Sequence, residues 1–411
     1  MKNLRTFAPW LLSAALLAGC GGGDPDVPGS GSPSGAPTGR GSFTAIVSFG
    51  TSASDLGTYA PATSVTGDGQ PPFFGGKFTT NSATGTVWVE NLAAALSTPQ
   101  APLLVTPAEL GFNGVSVACP AAANPALATT CTGYGQGGAM ITQRNGIGRD
   151  PATGAGALTV PLSMQIDNHL ARFGAFRDSD LILVEGGLND LFVAFETFAA
   201  TAQKIGVEVA LGNLTEDEGQ VQLFAAQTVA QATLRQAATE LAGYVRTKIL
   251  AKGGRYVAVA TMPDLRRTPF GRSVGAQSAA LQVALGELTE VFNLWLRDGL
   301  TDQPVRILDI TDVFDRVVAD PAAAGFDNAT DPACDAAKIA ELTRDPQTGV
   351  PRVTDGNPVF CNSTEGSPFN TLATGASATG WFFADDVHPS TGGHRHLGQR
   401  IIEQLQSFGW I

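Results

Sequence analysis

Four short apolar runs, each closed by a turn-forming or acidic residue, constrain this chain more than any other feature. They are Ala45 to Phe49 before Gly50, Leu181 to Val184 before Gly186-Gly187, Tyr256 to Ala260 before Met262-Pro263, and Val305 to Leu308 before Asp309. Continuous apolar runs of this length suit strands buried on both faces of a parallel sheet. The stretches between them carry helical periodicity. In the clearest, about 219 to 252, Leu234, Ala238, Leu241, Val245 and Ile249 recur on one helix face, and Gly253-Gly254 ends the run. Further helices are expected near 276–300 and 87–96. Alternating strands and helices predict an α/β domain with a central parallel sheet covered on both faces. Gly/Pro/Ser/Asn-rich stretches near 60–86, 97–135 and 320–380 read as long loop insertions.

Composition excludes two alternatives. With 43% hydrophobic and 15% charged residues, the chain is too apolar for wholesale disorder. Its 25 Lys+Arg against 37 Asp+Glu give a net charge of −12, the wrong sign for a nucleic-acid partner.

The first residues read as an address. Lys2 and Arg5 precede a short apolar run, Phe7 to Leu17, too brief to span a bilayer. Leu17-Ala18-Gly19-Cys20 resembles the lipobox of bacterial lipoproteins, which implies a signal peptide over 1–20, cleavage and lipidation at Cys20. By the same analogy, Gly21 implies a lipid anchor in the outer membrane of the cell envelope. Residues 21–42 read as a flexible Gly/Pro/Ser tether, with the folded domain over 43–411. Four cysteines remain, Cys119, Cys131, Cys334 and Cys361. An even number in an exported chain implies two disulfides. Of three connectivities, Cys119–Cys131 and Cys334–Cys361 are favoured because each closes a short loop.

The polar residues with chemical potential sit at strand ends, where ligands of open α/β sheets bind. They form four blocks: Gly50-Thr51-Ser52-Ala53-Ser54-Asp55, Gly135-Gln136-Gly137-Gly138-Ala139, Gly187-Leu188-Asn189-Asp190 and Asp385-Asp386-Val387-His388-Pro389. In kind and order these resemble the blocks of the GDSL or SGNH hydrolases, secreted bacterial esterases in particular. The resemblance implies a flavodoxin-like three-layer α/β/α fold and an ester hydrolase that needs no cofactor. It places Ser52 as nucleophile, His388 as general base, Asp385 as the partner of the imidazole, and Ser52, Gly138 and Asn189 as oxyanion donors. Where the family has Asp before the serine and Leu after it, this chain has Thr51 and Ala53. The first change removes a carboxylate beside the nucleophile and the second removes packing under the turn.

The chemistry suits acyl transfer. A neutral serine hydroxyl needs a base within hydrogen-bond reach, an aspartate fixes the imidazole tautomer, and backbone and amide N–H groups meet the oxyanion. Simpler roles compete. Ser52 or Asn189 serves only as a cap or turn residue, Ser54 is the nucleophile, Gly137 replaces Gly138, or Asp386 replaces Asp385. His394 and His396 invite a metal site with His388, but positions two apart do not share a helix face, so no metal is expected. His169 is placed on a helix surface and Trp88 in the core, while Phe73 and Phe74 either line an acyl pocket or pack locally. The expected enzyme is a monomeric carboxylesterase or lipase acting on small-molecule, lipid or polymer esters. The alternative is an impaired surface lipoprotein that binds a ligand on the same fold.

Overall fold

A computed structural model describes residues 32–61, 63, 75–99, 101–111, 117–147 and 158–411. Cys20, the signal peptide, and Phe73 and Phe74 lie outside the described residues. The strands in chain order are β1 (Ala45–Phe49), β2 (Glu109–Leu110), β3 (Val117–Ala118), β4 (Asp180–Val184), β5 (Tyr256–Ala260), β6 (Arg306–Leu308), β7 (Asn328–Pro332) and β8 (Trp381–Phe383). The helices are α1 (Trp88–Leu96), α2 (Leu162–Phe173), α3 (Leu188–Ala210), α4 (Glu216–Tyr244), α5 (Pro269–Gln277), α6 (Ala279–Gly299), α7 (Ile310–Ala319), α8 (Ala336–Leu342) and α9 (Thr391–Ser407).

The four expected strands form one parallel sheet in the order β1-β4-β5-β6. Residues 132–134 run along the free edge of β1: Ser48 N–H reaches the Thr132 carbonyl at 2.9 Å and Tyr134 N–H reaches the Ser48 carbonyl at 2.8 Å. Counting that segment, the order is the flavodoxin-like 2-1-3-4-5, with its switch point between β1 and β4. Alternate strand residues serve two cores. Val47, Phe49, Ile182, Val184, Val257 and Val259 pack on one face with α2 to α6. Ile46, Leu181, Leu183, Ala258 and Ala260 pack on the other with α1, α7 and α9. The fold is therefore a three-layer α/β/α domain. Among the described residues no helix is long and apolar enough to cross a membrane.

Both favoured disulfides are present, Cys119–Cys131 and Cys334–Cys361. Trp88 is in the core as expected.

The helix expected over 276–300 is α6, which starts where Ser278 adopts an extended conformation and its hydroxyl caps the helix at the Leu281 N–H. Two expectations need correction. His169 is not on a helix surface. It is 2% exposed, with its ring among Phe49, Tyr134, Phe173 and Phe176. Burial, aided by Arg177 and Arg172, lowers its pKa to about 4, so it packs as a neutral ring. The flexible tether expected over 21–42 reaches too far, because residues 34–41 bond the folded domain. Ser34 N–H bonds the Gln303 carbonyl, Gly41 N–H bonds the Trp410 carbonyl, and Trp410 Nε1–H reaches the Pro37 carbonyl at 2.7 Å. A buried indole needs an acceptor for its N–H, and this segment supplies one.

Candidate active site

The site forms where β1 and β4 part. Leaving β1, the chain makes a 3-10 turn over Ser52–Ser54. The backbone of Gly50 is pinned from α2: Gln165 Oε1 accepts its N–H and Gln165 Nε2–H donates to its carbonyl, both at 2.9 Å. Ser54 Oγ accepts the Trp88 Nε1–H at 3.2 Å. These bonds come from separate elements and leave the Ser52 hydroxyl at the mouth of the turn.

The last block supplies its partner by local chemistry. Asp385 follows β8 and closes a tight turn, its Oδ1 accepting the Val387 N–H at 2.9 Å and the His388 N–H at 2.6 Å. The same carboxylate places Oδ2 2.8 Å from His388 Nδ1. Two residues later Ser390 caps α9, anchoring the turn. His388 Nε2 then lies 2.7 Å from Ser52 Oγ, across 336 residues of sequence. Phe78 packs against the imidazole with ring centroids 5.0 Å apart. Burial opposes the charge of Asp385, but the His388 charge and three hydrogen bonds outweigh it and lower its pKa.

The second block is tied to the first by Asp55. Its carboxylate accepts Gly57 N–H at 2.9 Å and Thr58 N–H at 2.7 Å from its own turn, and Gly137 N–H at 2.9 Å from the other loop. Burial nevertheless raises its pKa to about 6. Gly137 is thus committed, whereas Gly138 N–H makes no hydrogen bond among the described residues. Gly138 has φ +79°, a conformation that favours glycine. A side chain on Gly137 would meet the Phe78 ring at about 2.0 Å. Asn189 lies in the first turn of α3, and one N–H of its amide holds the Ala139 carbonyl at 2.8 Å. Asp190 beside it accepts the Ile141 N–H at 3.1 Å, and burial raises its pKa to about 7.

Ser52, His388 and Asp385 are therefore brought together in one line, with Gly138 on a neighbouring loop and Asn189 in the first turn of α3. The competing residues are not so placed. Ser54 is fully buried and bonded to Trp88. Asp386 makes no hydrogen bond to His388 among the described residues. His394 is buried away from any metal cluster: its Nδ1 accepts the Trp88 N–H, Nε2 faces the Phe78 carbonyl, and burial lowers its pKa to about 3. Among the described residues no group of three or more His, Cys, Asp or Glu is arranged to hold a metal ion.

Sequence reasoning missed three contributors: Gln165, Asp55 as the clasp between loops, and Glu185, which follows β4 and bonds Thr51. Asp55 carried a signal as the last residue of the first block, and Glu185 as a lone carboxylate directly after a buried strand; Gln165 carried none.

The chain matches the family model GDSL-like Lipase/Acylhydrolase over residues 46–401. No curated protein is similar enough to the chain to count as a match.

Proposed function

Because the chain belongs to the GDSL-like lipase/acylhydrolase family, whose members hydrolyse ester bonds, we propose that it cleaves carboxylic esters through an acyl-enzyme on Ser52. The observation that carries this reading is the 2.7 Å approach of His388 Nε2 to Ser52 Oγ. In the proposed cycle His388 takes the Ser52 proton as Oγ attacks the ester carbonyl. Asp385 keeps the remaining imidazole proton on Nδ1 and stabilises the imidazolium that forms. The Ser52 and Gly138 N–H groups and the second N–H of the Asn189 amide donate to the tetrahedral oxyanion. Losing one such donor costs about 10²–10³ in rate. His388 returns the proton to the leaving alkoxide, and a water activated by the same imidazole releases the acid.

The test is covalent labelling with a fluorophosphonate, run beside hydrolysis of p-nitrophenyl esters of graded chain length. Labelling confined to Ser52, with turnover abolished in Ser52→Ala, is the expected result. Turnover or labelling surviving in Ser52→Ala refutes it. No labelling and no turnover in the wild type supports the ligand-binding alternative instead.

A further inference from the structure

Thr51 stands where the family pattern has a carboxylate, yet a carboxylate still occupies that side of the nucleophile turn. It comes from another strand. Glu185 follows β4, and its own N–H donates to the Phe49 carbonyl at 3.1 Å, which sets its side chain beside the end of β1. Oε1 accepts the Thr51 backbone N–H, and the Thr51 hydroxyl lies 3.0 Å from Oε1 and 3.1 Å from Oε2. On the far side of Ser52, Ser54 Oγ accepts the Trp88 Nε1–H. The residue directly before Ser52 thus hangs, through both its backbone and its side chain, from one carboxylate 134 positions away in sequence.

We propose that Glu185 is the positioning residue of the nucleophile, and that Thr51 and Glu185 form a matched pair in which the carboxylate has moved from the turn to β4. The proposal rests on the acyl-transfer reading above. Thr51 presents two donors to the Glu185 oxygens, its backbone N–H and its hydroxyl. Aspartate there would keep the N–H but replace the hydroxyl donor by an acceptor and set two carboxylates within bonding distance, so that one is forced to take up a proton. Burial raises the Glu185 pKa, while the Thr51 bonds and the His388 charge work against that rise. The same attraction acts in reverse, so an ionised Glu185 favours the imidazolium that forms during acyl transfer.

The pairing makes a prediction that simple restoration of the motif does not. Thr51→Asp is expected to impair the enzyme, and Glu185→Gln is expected to relieve that impairment. The experiment compares wild type, Glu185→Gln, Thr51→Asp, the double variant and Ser52→Ala on p-nitrophenyl butyrate, with thermal melts of each. Each single substitution is expected to lower kcat about a hundredfold, as misplacement of a reacting group by about 1 Å does. KM stays near the wild-type value because Glu185 is placed to act on the turn rather than on substrate. The double variant is expected to recover most of the lost kcat and the labelling rate of Ser52. Wild-type kcat in Glu185→Gln overturns the proposal. A double variant no better than either single overturns it too, even if the singles melt early. Activity remaining in Ser52→Ala defeats the acyl-transfer reading itself, a different outcome from either.

Discussion

Replacing Asp385 by asparagine separates the two tasks of that side chain. The Oδ1 atom holds the turn through the Val387 and His388 N–H groups, at 2.9 and 2.6 Å, and Oδ2 faces His388 Nδ1 at 2.8 Å. Two backbone donors dictate how an asparagine must orient. Its carbonyl keeps the turn, and its NH2 group is left pointing at Nδ1. The ring is then forced to carry its proton on Nε2, which faces Ser52 Oγ at 2.7 Å and has no lone pair to offer. Such a tautomer error costs about 10⁴ in kcat, equivalent to about 5 kcal/mol of transition-state stabilisation. Folding is affected far less, because both backbone bonds survive. The ionised Asp385, whose pKa lies below its ordinary value in the folded chain, contributes stability above that ordinary value. The variant gives up that contribution at neutral pH. The assay is kcat on p-nitrophenyl butyrate, together with the rate of Ser52 labelling and a thermal melt. A variant within tenfold of wild type refutes the assignment of Asp385, and a collapsed melt refutes the claim that the turn is retained.

Asp190, with a pKa raised from 3.8 to about 7 by burial, stabilises the fold most below pH 3.8 and loses that contribution as pH rises through 7. In urea melts, wild type is therefore expected to lose stability relative to Asp190→Asn between about pH 4 and 7. A pH-independent difference contradicts the assignment. Cys334 N–H bonds the Ala384 carbonyl at 2.8 Å, so the Cys334–Cys361 bridge braces the residue next to Asp385. Its loop of 27 residues predicts a stabilisation of about 3.5 kcal/mol. The paired Cys334→Ala, Cys361→Ala variant should melt earlier and lose kcat, and an unchanged melt would disprove the brace.

Local pattern alone settled what depends on near neighbours in the chain. Each apolar run is long enough to be a buried strand and too short to be a helix, so β1, β4, β5 and β6 were legible without coordinates. The Asp385-to-His388 pairing needs only a turn of three residues, and the cysteine pairs close short loops. The order of the four blocks brought out Ser52, His388, Gly138 and Asn189. His169 was misplaced because a histidine among aromatic rings looks, in sequence, like any polar position on a helix.

Tertiary structure decided which distant groups share a charge or a proton. Asp55 meets Gly137 across 82 residues, and so commits that amide and leaves Gly138 open. Glu185 meets Thr51 across 134 residues, and so brings to the first block a carboxylate that the block's own sequence lacks at that position. Hydrogen bonds and charges act over a few ångströms in space regardless of separation along the chain. Motif spacing records the first kind of nearness, and only the packed switch point between β1 and β4 records the second.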